Sequence, residues 1–140
     1  MHVVFADTGY WIALASGRDE LRPTIVHVTE SLDVSMVVTT EMVLVEFLNH
    51  MSRGGEYART VAMDMMMGLL SDSDVEVVPQ TTAQFSEALS RYASRLDQRW
   101  SLTDCASFLV MEERNITEAL AYDRDFEQAG FVSLLRRDRE

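Results

Sequence analysis

Asp7, Glu46, Asp104 and Asp123 are the residues of this chain whose type and placement could do chemistry together. Each begins a helix-forming stretch or lies within one, and Asp7 and Asp123 each follow a short apolar run. Four carboxylates brought to one crevice repel strongly and titrate as a coupled, partly raised set. Such a cluster persists when a cation occupies it or when protons are shared. All-oxygen donors select hard divalent ions, Mg²⁺ or Mn²⁺, over zinc. The three histidines, His2, His27 and His50, are scattered and form no zinc-ligand spacing with Cys105. A carboxylate-held Mg²⁺ or Mn²⁺ suits phosphate chemistry, because it neutralises charge on a phosphodiester and lowers the pKa of water.

Taken singly, three of these acids have a simpler role. Asp7 and Asp123 stand where an aspartate would cap the helix that follows. Ser101 and Asp104 match the S-x-x-D spacing of a capping box. Glu46 differs, since it sits inside MVLVEFLNH, far from either helix end. On a helix it shares a face with Met42, Asn49, His50 and Arg53, which is either an exposed polar stripe or one side of a site.

The elements that must position these acids alternate along the chain. Val3 to Ala6 reads as a buried strand, followed by a helix from Thr8 to Ala15 that stops at Gly17. A second helix is expected over 18–33, with Pro23 in its first turn, and a second strand over Met36 to Val38. Thr40 to Ser52 and Tyr57 to Leu70 form a helical hairpin broken at Gly54 and Gly55, and Val75 to Val78 is a third strand. Thr82 to Leu96 and Leu102 to Arg114 are helices, Ala119 to Tyr122 a fourth strand, Arg124 to Ala129 a short helix, and Phe131 to Leu135 a fifth strand. Strands separated by helices imply right-handed crossovers, a parallel sheet, and helices on both faces. Function then belongs at the carboxyl ends of the strands. Asp7 and Asp123 fall on that rim.

Composition sets further bounds. At 140 residues and 47% hydrophobic content, one domain over 1–140 is expected, without disulfides or metals as staples. The single cysteine, the absence of a basic leader and the absence of a long apolar run lead to the expectation of a soluble cytoplasmic protein with no membrane association. The formal net charge is −11, from 23 acids and 12 bases, and every base is an arginine. Such a balance disfavours non-specific nucleic-acid binding unless cations shield the acids or the arginines share a face. Arg91, Arg95 and Arg99 recur at four-residue intervals and lead to Ser101. They are either an RNA-guiding stripe or a solvated helix face on which Glu87 pairs with Arg91. No lysine and no G-x-x-x-x-G-K-[ST] loop excludes a P-loop nucleotidase. Gly9 stands where an aspartyl-phosphate phosphatase would need its second aspartate, and the paired acid and lysine of a receiver domain are missing.

Four segments, FADTGYWIAL, TTEMVLVEFLN, SLTDCASFLVMEERNITEAL and AYDRDFEQAGF, occur in an order that resembles the PIN domains, and among them the VapC-type toxin endoribonucleases. The resemblance implies a three-layer α/β/α fold with a five-stranded parallel sheet. It also implies Mg²⁺- or Mn²⁺-dependent cleavage of RNA in line, leaving 5′-phosphate and 3′-hydroxyl ends. Asp7, Glu46 and Asp104 match the family's three steadiest acids and Asp123 its more variable fourth, with Asp125 as the alternative. Thr8 and Ser101 match its supporting hydroxyls. A cognate antitoxin and a homodimer are the implied partners. The methionine-rich stretch Met63 to Leu70 is either helix core or part of a surface for such a partner. The competing readings are an RNA-processing PIN nuclease without an antitoxin and a non-catalytic RNA-binding PIN domain.

Overall fold

Short β-branched and aromatic runs bounded by turn residues give this chain its strands, and the longer amphipathic runs between them give its helices. The computed structural model describes residues 2–16 and 22–136. In chain order the elements are β1 (Val3–Ala6), α1 (Thr8–Ser16), α2 (Arg22–Ser31), β2 (Met36–Thr40), α3 (Glu41–Met51), a 3₁₀ turn (Ser52–Gly54) and α4 (Gly55–Ser71). There follow β3 (Val75–Val78), α5 (Thr82–Ser94), α6 (Leu102–Glu113), β4 (Glu118–Leu120), α7 (Asp125–Gln128) and β5 (Val132–Ser133).

All strand pairs are parallel, in the order β3-β2-β1-β4-β5. The chain winds outward from β1 through β2 to β3, then crosses back to β4 and β5. Right-handed crossovers in opposite directions place the intervening helices on opposite faces, giving three layers. The packing agrees: α1, α3 and α4 contact one another, and α5 packs along α6. The reversal of direction lies between β1 and β4, where a crevice opens beyond the strand ends.

Central strand β1 is wholly apolar and buried from Val4 to Ala6, as expected of a strand covered on both faces. Phe5 meets Phe126 of α7 with ring centroids 6.2 Å apart, and Phe126 meets Phe108 of α6 edge-on at 5.0 Å. Trp100 and Phe131 also stack on Phe108, at 5.1 and 5.7 Å. This aromatic cluster ties β1, α6 and α7 together just below the crevice. A second link runs through polar groups: Trp11 Nε1 donates to Thr39 Oγ1 (3.3 Å), whose hydroxyl donates to the Ala6 carbonyl (2.9 Å).

The boundaries differ from the sequence expectation in instructive ways. Strand β2 runs on to Thr40, which then caps α3 by accepting from the Val43 N–H at 3.1 Å, so the helix starts one residue later. Helix α5 stops at Ser94, because Arg95 leaves helical geometry at φ −122°, ψ 62°. Strand β4 is Glu118–Leu120, displaced toward the N-terminus relative to expectation, and β5 is only two residues long, on the sheet edge. Of the second helix, 22–31 is helical, and the expected start over 18–21 lies outside the described residues. The hairpin break falls at the two glycines, with Gly55 at φ +86°, a left-handed conformation that glycine adopts freely.

Candidate active site

Asp7 ends β1 inside the crevice. It is only 7% exposed, and its backbone N–H donates to the Leu120 carbonyl at 3.3 Å, so the ends of β1 and β4 are held together. Asp123 comes three residues after Leu120 and therefore lies on the same rim. The packing here is close: a Cβ on Gly9 would stand 3.2 Å from the Tyr122 ring. A larger residue at position 9 would push the start of α1 away from the loop that carries Asp123.

Helix α3 brings in Glu46. Val43, Leu44 and Phe47 bury its opposite face in the core, which turns Glu46 outward toward the rim. Its carboxylate accepts from the Thr8 hydroxyl at 2.6 Å, so the supporting hydroxyl expected at position 8 binds an acid of the set. Asp104 arrives on the first turn of α6, where the predicted capping box is complete. The Asp104 N–H donates to Ser101 Oγ (3.0 Å), and the Ser101 N–H donates to Asp104 Oδ2 (3.1 Å). Capping occupies one carboxylate oxygen of Asp104, and the other has no hydrogen-bond partner among the described residues. Asp123 accepts the Asp125 N–H on Oδ1 at 3.2 Å, which aims this short turn and starts α7.

Electrostatics show which acids face one another. Burial holds the Asp7 carboxyl well above the ordinary carboxylate range; the charge of Asp104 adds to this, the Thr8 N–H opposes it, and Asp123 and Glu46 raise it further. Burial is also the main reason that Asp104 is raised to about 6; the Ser101 N–H opposes the shift, while Asp125 and Asp123 add to it. Asp123 is raised by burial and then by Asp125, against the N–H groups of Asp125 and Phe126 and the charge of Arg136. Asp125 therefore belongs to the crevice together with Asp123: one acts on Asp104, the other on both Asp104 and Asp7. The sequence left those two as alternatives because their spacing does not show that α7 begins between them.

The donors are carboxylate and hydroxyl oxygens only, two of the acids are buried, and their charges repel. That chemistry fits a hard divalent cation. Among the described residues, no three acids, histidines or cysteines have converged on a single cation-holding point; the carboxylates ring the crevice. Asp7 and Asp104 are buried, whereas Glu46 and Asp123 are exposed.

The rim opens into a groove of about 880 Å³ between α3 and α4. Thr8, Glu46 and Thr103 line one end, and Asn49, His50, Arg53, Met66 and Leu70 line the rest. The polar stripe read along α3 is thus one wall of a groove continuous with the acids. On α4, Met63, Met67 and Leu70 are exposed while Met65 and Met66 pack partly against the core, so the methionine-rich stretch is part core and part open surface. The arginine stripe is corrected. Because α5 ends at Ser94, Arg99 is not on that helix, and Arg91 is paired with Glu112 of α6 at 2.8 Å rather than with Glu87. Sequence reasoning missed Thr103, which lines the groove and whose only signal was a threonine beside an acid already singled out.

The family described as "PIN domain" matches residues 4–132. The chain belongs to the PIN-domain family. Its resemblance is to VapC-type toxins, and it is an enzyme of their ribonuclease class. It is 32% identical over 133 residues to "23S rRNA-specific endonuclease VapC20" of Mycobacterium tuberculosis strains H37Rv and CDC 1551, spanning 94% of this chain and 98% of that relative. The crystal structure of VapC20, described as a Sarcin-Ricin loop cleaving toxin, superposes with a TM-score of 0.81 at 28% identity, covering 93% of this chain and 97% of that one. The expected α/β/α PIN fold with a five-stranded parallel sheet is therefore present.

Proposed function

We propose that this chain is a Mg²⁺- or Mn²⁺-dependent endoribonuclease and the toxin of a type II toxin-antitoxin pair. The observation that carries this reading is the ring of carboxylates at the β1/β4 crevice, with Asp7 and Asp104 buried against the charges of their neighbours. In this reading Asp7, Glu46, Asp104 and Asp123 hold one or two ions, and Asp125 adds negative charge beside them. The ion supplies Lewis acidity, neutralising charge that develops on the phosphodiester and making water acidic enough to attack near neutral pH. The chain's own residues do the positioning. Thr8 fixes the rotamer of Glu46, the capping box fixes Asp104, and the Asp125 N–H fixes Asp123. The RNA target is proposed to be a structured ribosomal segment like the one named for VapC20.

For partners, we propose a cognate antitoxin whose segment lies along the α3–α4 groove, and a homodimer. Met42, Met66 and the exposed Leu70, which line that groove, support the first, because flexible methionine surfaces adapt to a partner helix or strand. Amide exchange over 63–70 that is unchanged by any co-expressed partner would reject the groove assignment. Sedimentation at only the monomer mass of 15.9 kDa would reject the dimer. No helix among the described residues is long and apolar enough to cross a membrane, and the cytoplasm is the proposed location.

The test of the main reading is cleavage of a total RNA pool with Mg²⁺ or Mn²⁺, comparing wild type, Asp7→Asn and wild type with chelator. Cleavage by wild type alone is expected. Activity that survives both the substitution and the chelator would overturn the assignment.

A further inference from the structure

Thr8, Ser101 and Thr103 carry hydroxyls next to the acids of the crevice, and the first two are committed. Thr8 donates to Glu46 at 2.6 Å, and Ser101 Oγ accepts the Asp104 N–H at 3.0 Å. Thr103 lines the end of the groove together with Thr8 and Glu46. Its carbonyl accepts from Ser107, but its hydroxyl has no hydrogen-bond partner among the described residues. The residue is half-buried, and its hydroxyl oxygen, unlike the Trp100 indole nitrogen, is not sealed from solvent.

The placement of Thr103 is rigid. It lies between the two members of the Ser101–Asp104 capping box, and the Ser107 hydroxyl holds its carbonyl at 2.9 Å. Adjacent Cα atoms are about 3.8 Å apart, so this free hydroxyl stands beside an acid of the site. Asn49, another neutral polar side chain of the groove, lies about one helical turn beyond Glu46 along α3.

The chemistry of the reaction gives such a group a use. Carboxylates and a divalent ion act on the phosphodiester, which RNA and DNA share, so they do not tell the two apart. In a cut that leaves a 3′-hydroxyl, the 2′-hydroxyl is not the nucleophile and the reaction itself does not require it. Selecting RNA therefore needs a side chain that binds the 2′-hydroxyl, which sits on the sugar carbon next to the one bearing the released oxygen. That hydroxyl both donates and accepts. A threonine hydroxyl does the same, whereas an ionised carboxylate only accepts.

We propose that Thr103 reads the ribose: its hydroxyl binds the 2′-hydroxyl of the nucleotide on the 5′ side of the cut and so favours RNA over DNA at the crevice. The assignment rests on the ribonuclease reading above, and its test separates the two. Two synthetic hairpins span the cut mapped in the total RNA pool, identical except that one carries 2′-deoxyribose at that single nucleotide. On both, kcat/KM is measured in Mg²⁺ or Mn²⁺ for wild type, Thr103→Val, Thr103→Ala and Thr103→Ser, with circular dichroism to check each fold. Wild type is expected to cut the all-ribose hairpin about tenfold faster, the worth of one hydrogen bond. Thr103→Val, which keeps the shape, should cut that hairpin at the rate wild type shows on the deoxy one, and should lose nothing more on the deoxy hairpin. Thr103→Ala should repeat this pattern if valine disturbs the fold, and Thr103→Ser should keep the preference. Equal rates of wild type on the two hairpins would overturn the assignment. A hydroxyl-free variant that still prefers ribose tenfold would overturn it too; slowing equally on both hairpins is the pattern of a phosphate contact. These outcomes leave the nuclease reading intact, whereas a wild type that cuts neither the hairpins nor the RNA pool would overturn both.

Discussion

Replacing Asp104 with asparagine should abolish cleavage and, without divalent cation, make the protein more stable at neutral pH. In the fold this carboxyl titrates near 6, against an ordinary value of 3.8, mainly because it is 9% exposed and faces Asp125 and Asp123. A raised acid favours the folded state fully below pH 3.8, where both states are protonated, and that contribution is lost as pH rises through about 6. The gap of about two pH units amounts to ~3 kcal/mol by pH 7. Asparagine removes the charge but keeps an acceptor for the Ser101 N–H, so the capping box survives. At roughly 3 °C per kcal/mol for a chain of this size, the variant should melt up to about 10 °C higher at pH 7.5 in chelator. Thermal unfolding followed by circular dichroism from pH 4 to 8 measures this. The two melting curves should nearly coincide at pH 4 and separate between 4 and 6. Added Mg²⁺ or Mn²⁺ should raise the wild-type midpoint more than that of the variant. A variant that is less stable at pH 7.5, or a gap that does not change with pH, would refute the burial argument.

Thr8→Val removes the hydroxyl that orients Glu46 but keeps the shape, and should lower kcat about tenfold or more with little change in melting temperature, as steady-state cleavage assays would show. Phe108→Ala empties the centre of the aromatic cluster and should cost about 3–5 kcal/mol in denaturant unfolding, with loss of cation affinity read by isothermal titration calorimetry, because β1, α6 and α7 no longer hold their acids in register.

Much of this site was legible in the sequence because the carboxyl ends of parallel strands are predictable positions. Asp7 follows an apolar run too short for a helix, and Ser101 with Asp104 carries its capping geometry in its spacing. Glu46 stood out as an acid among apolar residues, although only the three-dimensional fold shows it meeting Thr8 across the crevice. Boundaries were less legible where side-chain chemistry competes with propensity. Thr40 suits both a strand end and a helix cap, and its hydroxyl decides the matter by accepting the Val43 N–H. The helical geometry of the arginine stripe was misread for a related reason: periodicity continued past Ser94, but Arg95 turned out of the helix and bonded Asp97 instead. Glu112, the true partner of Arg91, lies 21 residues away, beyond the reach of any local spacing rule. The free Thr103 hydroxyl had no periodic signal, since an unpaired group is visible only when its surroundings are known.

The aromatic cluster also decides when the protein can become dangerous. Two of the four proposed ligands lie in the first third of the chain and two in the last third, and Phe5, Phe108 and Phe126 join the strand that ends at Asp7 to the helices beside Asp104 and Asp123. A ribosome that has made the first hundred residues has therefore built half a nuclease with nothing to dock against. Until Phe126 has emerged, the nascent chain carries its acids without a crevice, so catalytic competence arrives only near the end of synthesis.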